Sequence, residues 1–97
     1  MKYSFHPLAE KEFQEAVEYY NKLRTGLGIQ FAEEVYSVIQ RIIAFPELWT
    51  PLSSKLRRCL VTRFPYGIIY HTTDEEIFIL AVMQLNRKPG YWKKRVI

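Results

Sequence analysis

One cysteine, Cys59, in 97 residues excludes an intrachain disulfide and a zinc site built from thiolates. It falls within a strand-like run with no base beside it and reads as a buried, inert thiol. The two histidines, His6 and His71, stand far apart, with no ligand spacing around either. The four glycines form no phosphate-cradling loop. No apolar run reaches the roughly 18 residues of a membrane-spanning helix, and Met1–Pro7 lacks the apolar stretch of a signal peptide. These absences lead to one expectation: a single cytoplasmic domain over residues 1–97, off the membrane, with no metal and no cofactor.

What is present is ordinary globular composition with an uneven charge. Hydrophobic residues make up 48% and charged residues 25%, which excludes disorder. The 15% aromatic content calls for a core, an interface or a stacked ligand to account for it. Formal net charge is +4, but residues 1–54 carry five basic against seven acidic side chains, a net of −2. Residues 55–97 carry nine against three, a net of +6. A basic half beside a near-neutral one points to a face for an anion, either nucleic acid or an acidic protein; a merely solvated surface is the alternative.

The first half reads as a strand and two helices. Tyr3 and Phe5 alternate with Ser4 over Lys2–His6, and Pro7 ends that strand and opens a helix. Ala9, Phe13, Ala16, Val17, Tyr20 and Leu23 recur at spacings of three and four, the pattern of an amphipathic helix. Gly26 suits a left-handed residue closing it. A second helix is expected from about Ile29 to Phe45, with an apolar stripe wide enough for two neighbours. Pro46 stops it, and Glu47–Ser54 reads as a loop. Strands are expected at Leu56–Phe64, Tyr66–Thr72 and Ile77–Met83, the last apolar at every position and therefore internal to the sheet. The order β-α-α-β-β-β predicts an α+β fold, a helical hairpin packed on one antiparallel sheet.

Two basic clusters carry the candidate chemistry. The first is Lys55, Arg57, Arg58 and Arg63; the second is Arg87, Lys88, Tyr91, Trp92, Lys93, Lys94 and Arg95. Period-two geometry places Lys55, Arg57 and Arg63 on one face of the expected strand and Arg58 on the other. Guanidinium groups grip phosphate bidentately, and Tyr91 or Trp92 could stack on a base. The alternative is that Tyr91 and Trp92 plug the end of the core while the charges stay in water.

In combination, certain runs resemble the RelE/ParE superfamily of bacterial toxins. They are Arg57-Arg58, Arg63-Phe64-Pro65-Tyr66-Gly67-Ile68-Ile69-Tyr70, Ile79-Leu80-Ala81-Val82 and Arg87-Lys88-Pro89-Gly90-Tyr91-Trp92. Ala9–Tyr20, with its tyrosine pair, is similar to that family's first helix. The resemblance implies the toxin of a type II toxin–antitoxin module, associated with growth inhibition and plasmid stabilisation. It also implies a small acidic antitoxin encoded nearby, in a hetero-oligomer with the toxin. Tyr19, Tyr20, Phe31 and Trp49 are then the candidate antitoxin contacts, although composition alone would place each in the core.

The superfamily divides by target. ParE-like members inhibit DNA gyrase by binding it, whereas RelE-like members cut messenger RNA on the ribosome. If this chain cleaves RNA, the resemblance nominates Lys55, Arg57, Arg63, Arg87 and Tyr91. Relatives usually carry His where this chain has Gln84, and Arg where it has Asn86. Gln84 cannot act as acid or base, and Asn86 removes a cation. The expectation is therefore the ParE-like activity. Message cleavage, or a weakened toxin that chiefly binds its antitoxin, is the alternative.

Overall fold

The computed structural model describes residues 1–95; Val96 and Ile97 lie outside the described residues. β1 (Lys2–Phe5) ends at His6, whose Nδ1 accepts a hydrogen bond from the Leu8 N–H at 3.1 Å. Pro7, which has no N–H to leave unpaired, is the first residue of α1 (Pro7–Leu23). Of the stripe expected on this helix, Ala9, Phe13, Ala16 and Tyr20 are buried and Val17 is half-buried, whereas Leu23, in the last turn, is exposed. Gly26 has the expected positive φ of 87°, but it serves as the N-terminal cap of α2 (Leu27–Ala44), which starts two residues ahead of expectation. Gly28 then lets the two helices approach. A Cβ there would collide with the Val17 carbonyl oxygen, and the Gly28 N–H donates to Asn21 Oδ1 at 2.8 Å. Phe31, Val35, Val38, Ile39 and Ile42 form the buried face of α2.

Among the described residues the helices cover one face of a sheet of β1, β2 (Thr50–Pro51), β3 (Leu56–Leu60), β4 (Tyr66–Thr72) and β5 (Glu76–Gln84), in the spatial order β1-β5-β4-β3-β2. The meander expected in the second half is there: β3 (Leu56–Leu60), β4 (Tyr66–Thr72) and β5 (Glu76–Gln84), joined antiparallel. Two details differ from the reading of the sequence. Thr50–Pro51, placed in a loop, forms a two-residue edge strand β2 against Arg57 and Arg58. β1 runs parallel to β5, from Lys2 opposite Glu76 to Phe5 opposite Ile79, so the sheet is mixed. β5 is apolar on both faces and needs a neighbour on each edge; β4 takes one, leaving the other to β1.

β5 is internal, as its composition requires. Ile77, Ile79 and Val82 belong to the main core under the helices. Leu80, Ala81 and Met83 join a smaller core on the opposite face with Leu56, Ile69 and Trp92. A bulge puts two consecutive residues, Leu80 and Ala81, on that second face: Ile69 pairs with Ala81 while Tyr70 pairs with Ile79.

β3 stops at Leu60 rather than running on to Phe64. Pro65 has no N–H for a ladder, and the chain turns there, with the Val61 N–H donating to the Tyr66 carbonyl at 2.9 Å. Arg63 sits in that turn with φ at +74°. Among the described residues, no helix is long and apolar enough to cross a membrane.

Candidate functional site

β1 ends at Phe5, so among the described residues the edge of β5 beyond Ile79 has no strand beside it. Side chains from α1 and from the C-terminal segment occupy that edge. Glu12 Oε1 accepts from the Val82 N–H at 3.1 Å, and Arg95 donates to the Leu80 carbonyl at 2.9 Å. Arg95 also grips both oxygens of Glu12, each at 3.0 Å. The pair is nearly dry, with side chains only 10% and 13% exposed. Arg87 makes a longer 3.4 Å contact to Glu12 from a half-exposed position, and its guanidinium lies 3.5 Å from the centre of the Tyr91 ring.

Outside this latch lies a cleft of about 200 Å³ between α1 and the β5 edge. Glu12, Glu15, Tyr19, Tyr66, Gln84 and Arg87 line it. One cation and two carboxylates face it, and its amide, Gln84, can neither take nor give a proton in catalysis. The Tyr66 phenol is pushed up to about 12 by burial first, and by neighbouring Tyr20, Tyr19 and Glu12.

Tyr91 and Tyr70 are likewise pushed up to about 12, again chiefly by burial, with Glu12 adding to the effect at Tyr91. Tyr70 donates its hydroxyl to the Pro46 carbonyl at 2.6 Å. A phenol that resists ionisation in the folded state stabilises the fold fully below tyrosine's ordinary pKa of about 10, and that contribution is lost as pH rises toward the folded value. The fold should therefore persist at about pH 9 and unfold cooperatively between about pH 10 and 12, with phenolate absorbance and near-UV dichroism changing together. Ionisation of every tyrosine at its ordinary pKa, with dichroism unchanged, would contradict this.

The basic residues named from the sequence do not share one surface. Lys55 and Arg57 stand at the start of β3, and Arg63 lies beyond its end, roughly 17 Å of strand away. The expected common face of Lys55, Arg57 and Arg63 is therefore not formed, because the strand ends before Arg63 is reached. Arg63 instead donates to Gln30 Oε1 on α2 at 3.1 Å, and Arg57 donates to the Trp49 carbonyl at 2.8 Å. Arg58 faces the opposite side of the sheet from Arg57, as period two requires, with its Cγ and Cδ lying over Gly67. Lys88 is exposed in the segment after β5. Tyr91 is half-buried beneath Arg87, and Trp92 is only 5% exposed, within the smaller core. Trp92 is thus a plug for that core and not a stacking platform.

The four aromatic candidates for antitoxin contact also separate. Tyr19 is 55% exposed, while Tyr20 and Phe31 are buried in an aromatic cluster with Phe64 and Tyr66. Trp49 is half-buried, its indole N–H donating to the Arg41 carbonyl at 3.4 Å. Burial takes Tyr20 and Phe31 out of any contact surface.

Two residues that the sequence reading did not place in a site emerge from the geometry. Glu12 lies three residues after Ala9 and four before Ala16, on the rim of the apolar stripe, where a carboxylate needs a partner. His71 lies opposite Leu56 across the β3–β4 ladder, in a second cleft with Lys55 and Arg57. Among the described residues, no three metal-ligating groups cluster.

A helical hairpin over a mixed five-stranded sheet, with basic and aromatic residues after its last strand, is the fold class of the RelE/ParE toxins. The chain matches the family model for the ParE toxin of the type II toxin–antitoxin system parDE over residues 3–89, and it belongs to that family. It superposes on a chain of the "Chromosomal ParDE TA system from P. aeruginosa" with a TM-score of 0.76 and 12% identity, covering 89% of this chain and 97% of that one. At that identity the likeness is one of fold. No curated protein matches it by sequence.

Proposed function

We propose that this type II toxin–antitoxin toxin inhibits growth by binding DNA gyrase, with no cleavage step, and is held silent in a complex with a small acidic antitoxin. The observation that carries this reading is the dispersal of its cations. Cleaving a phosphodiester without a metal needs cations converging on the phosphate, with a base and an acid beside them. Here Arg63 and Arg87 stand at one end of the sheet and Lys55 and Arg57 at the other, and Gln84 occupies the cleft beside Arg87. Such an arrangement favours recognition of a surface over attack on a bond. The exposed apolar side chains of the helical hairpin, Tyr19, Leu23, Ile29 and Tyr36 among them, support an antitoxin segment laid along it. The basic second half suits an acidic partner by steering and complementarity.

The test is supercoiling by purified gyrase with the toxin added, run beside a translation reaction whose message is mapped for A-site cuts. The expected result is blocked supercoiling and intact message. Normal supercoiling at saturating toxin removes the gyrase reading, and A-site cuts that vanish in Arg87→Ala would put a ribonuclease in its place.

A further inference from the structure

The cleft of about 200 Å³ between α1 and the β5 edge is too small for a drug-sized ligand and large enough for the end of one side chain. Helical spacing builds its α1 wall: Glu12, Glu15, Ala16 and Tyr19 follow one another along one strip of the helix. Ala16 contributes only a methyl group, which keeps the floor open. The two carboxylates of that strip differ. Glu12 is already engaged by Arg95, Arg87 and the Val82 N–H. Glu15 has no cation at ion-pair distance among the described residues, neither Lys11 one turn before it nor Arg87 across the cleft. On the sheet side, Tyr66 lines the cleft and is only 9% exposed. Its hydroxyl has no hydrogen-bond partner among the described residues and is not sealed from solvent. A nearly buried phenol that opens into a cleft without a partner marks a place for a ligand. The phenol stays neutral at ordinary pH, so it offers an oxygen lone pair without a charge. Gln84, beside it, adds an amide oxygen.

We propose that this cleft is a socket for the guanidinium of one arginine, carried by the antitoxin segment that crosses α1; the carrier rests on the antitoxin reading above. Donor and acceptor counts select the ligand. A guanidinium brings five N–H donors and no acceptor, while Glu15 on one wall and Tyr66 and Gln84 on the other supply acceptors. The exposed Tyr19 ring offers a face to the flat cation. Charge agrees: two carboxylates face the cleft against the one cation of Arg87, which is turned toward Glu12 and the Tyr91 ring. A carboxylate or phosphate ligand would instead meet the unpaired Glu15. Residues 1–54, which hold both helices, carry a net charge of −2, so a basic side chain complements this part of the toxin even in an antitoxin that is acidic overall. Arg87, a candidate anion binder by resemblance, here opposes the ligand.

The first test is an NMR titration of the full chain with Nα-acetyl-arginine amide, beside its citrulline analogue as an uncharged isostere. Saturable shifts are expected at Glu15, Ala16, Tyr19 and Gln84 with the arginine probe, and about tenfold weaker binding of the citrulline one. Glu15→Gln should weaken the arginine probe about tenfold, the loss of one charge-assisted hydrogen bond, and Tyr66→Phe should weaken it severalfold. Arg87→Gln should tighten it by removing a like charge, the opposite of what an anion site would show. Glu15 is exposed and Tyr66→Phe keeps the ring, so unchanged spectra away from the cleft would show the fold intact. The second test is calorimetry with the antitoxin encoded beside the toxin, each of its arginines replaced by alanine in turn. One replacement should weaken binding to the wild-type toxin about tenfold and hardly affect binding to Glu15→Gln. Absence of saturable shifts, equal binding of the citrulline probe, or weaker binding in Arg87→Gln each overturn the socket. So does an antitoxin that binds wild-type and Glu15→Gln toxins equally. A toxin that takes the arginine probe but no antitoxin overturns the antitoxin reading instead.

Discussion

Replacing Glu12 with alanine should lower stability by about 3 kcal/mol, within the range for breaking a buried ion pair from one side. Three losses coincide in Glu12→Ala. Arg95, 10% exposed, keeps its charge but loses a bidentate anion. The Val82 N–H loses its Glu12 acceptor at the edge of β5. The segment bearing Tyr91 and Trp92 loses its tie to α1. Arg87 contributes little to the total, since its contact is longer and half-exposed. For a domain this size the expected fall in Tm is about 15 °C. A double-mutant cycle with Arg95→Ala isolates the pair. Because removing both partners leaves no uncompensated buried charge, the double variant should be less destabilised than the sum of the singles. Trypsin should also cut faster after Lys93 and Lys94 in Glu12→Ala. Additive single effects, or a loss within about 0.5 kcal/mol as for an ordinary surface site, would show that the latch contributes nothing.

Glu12 also shows why the site was only partly legible in the sequence. Periodicity along α1 and α2 identified the buried stripes, and the uniformly apolar Ile77–Met83 identified the internal strand, because those signals are local. Glu12 and Arg95 are 83 residues apart, and nothing local pairs them. The same limit applies to β1: its alternation marks a strand but carries no information about which edge it joins or in what direction. Arg63 leaves the face expected for it for a different reason. Leu60-Val61-Thr62 reads as strand, yet Pro65 costs the ladder a donor and Arg63 takes up a left-handed φ, so the chain turns before reaching it. His71 reads as a lone histidine in the sequence because its neighbours come from the facing strand and its turn. The basic residues stand out in the sequence as two clusters. Their division between two ends of the sheet is a tertiary fact that no local signal carries.

Phe31 and Tyr19 provide the opposite pair of expectations. Both were candidates for partner contact, and the fold gives them different work. Phe31 is fully buried, with ring centres of Phe13, Tyr20, Phe64 and Tyr66 between 4.9 and 6.1 Å away. Two of those rings come from the turn after β3 and the start of β4, so Phe31 joins α2 to the sheet as well as to α1. Phe31→Ala opens a cavity that these aromatic rings cannot close by small shifts, and the expected cost is about 4 kcal/mol, a large share of a typical domain's stability. Phe31→Leu keeps most of the volume and should cost about half as much, which separates cavity formation from a general intolerance of change. Tyr19 is 55% exposed, its ring meeting Tyr20 edge-on at 5.2 Å, so Tyr19→Ala should change stability by less than about 1 kcal/mol. Under the antitoxin reading, Tyr19→Ala should weaken complex formation with the antitoxin encoded beside the toxin, with the melting curve barely moved. Urea melts and calorimetric binding on the same preparations read both quantities. A stable Phe31→Ala that fails only in antitoxin binding would put Phe31 back on the contact surface and the aromatic core in question.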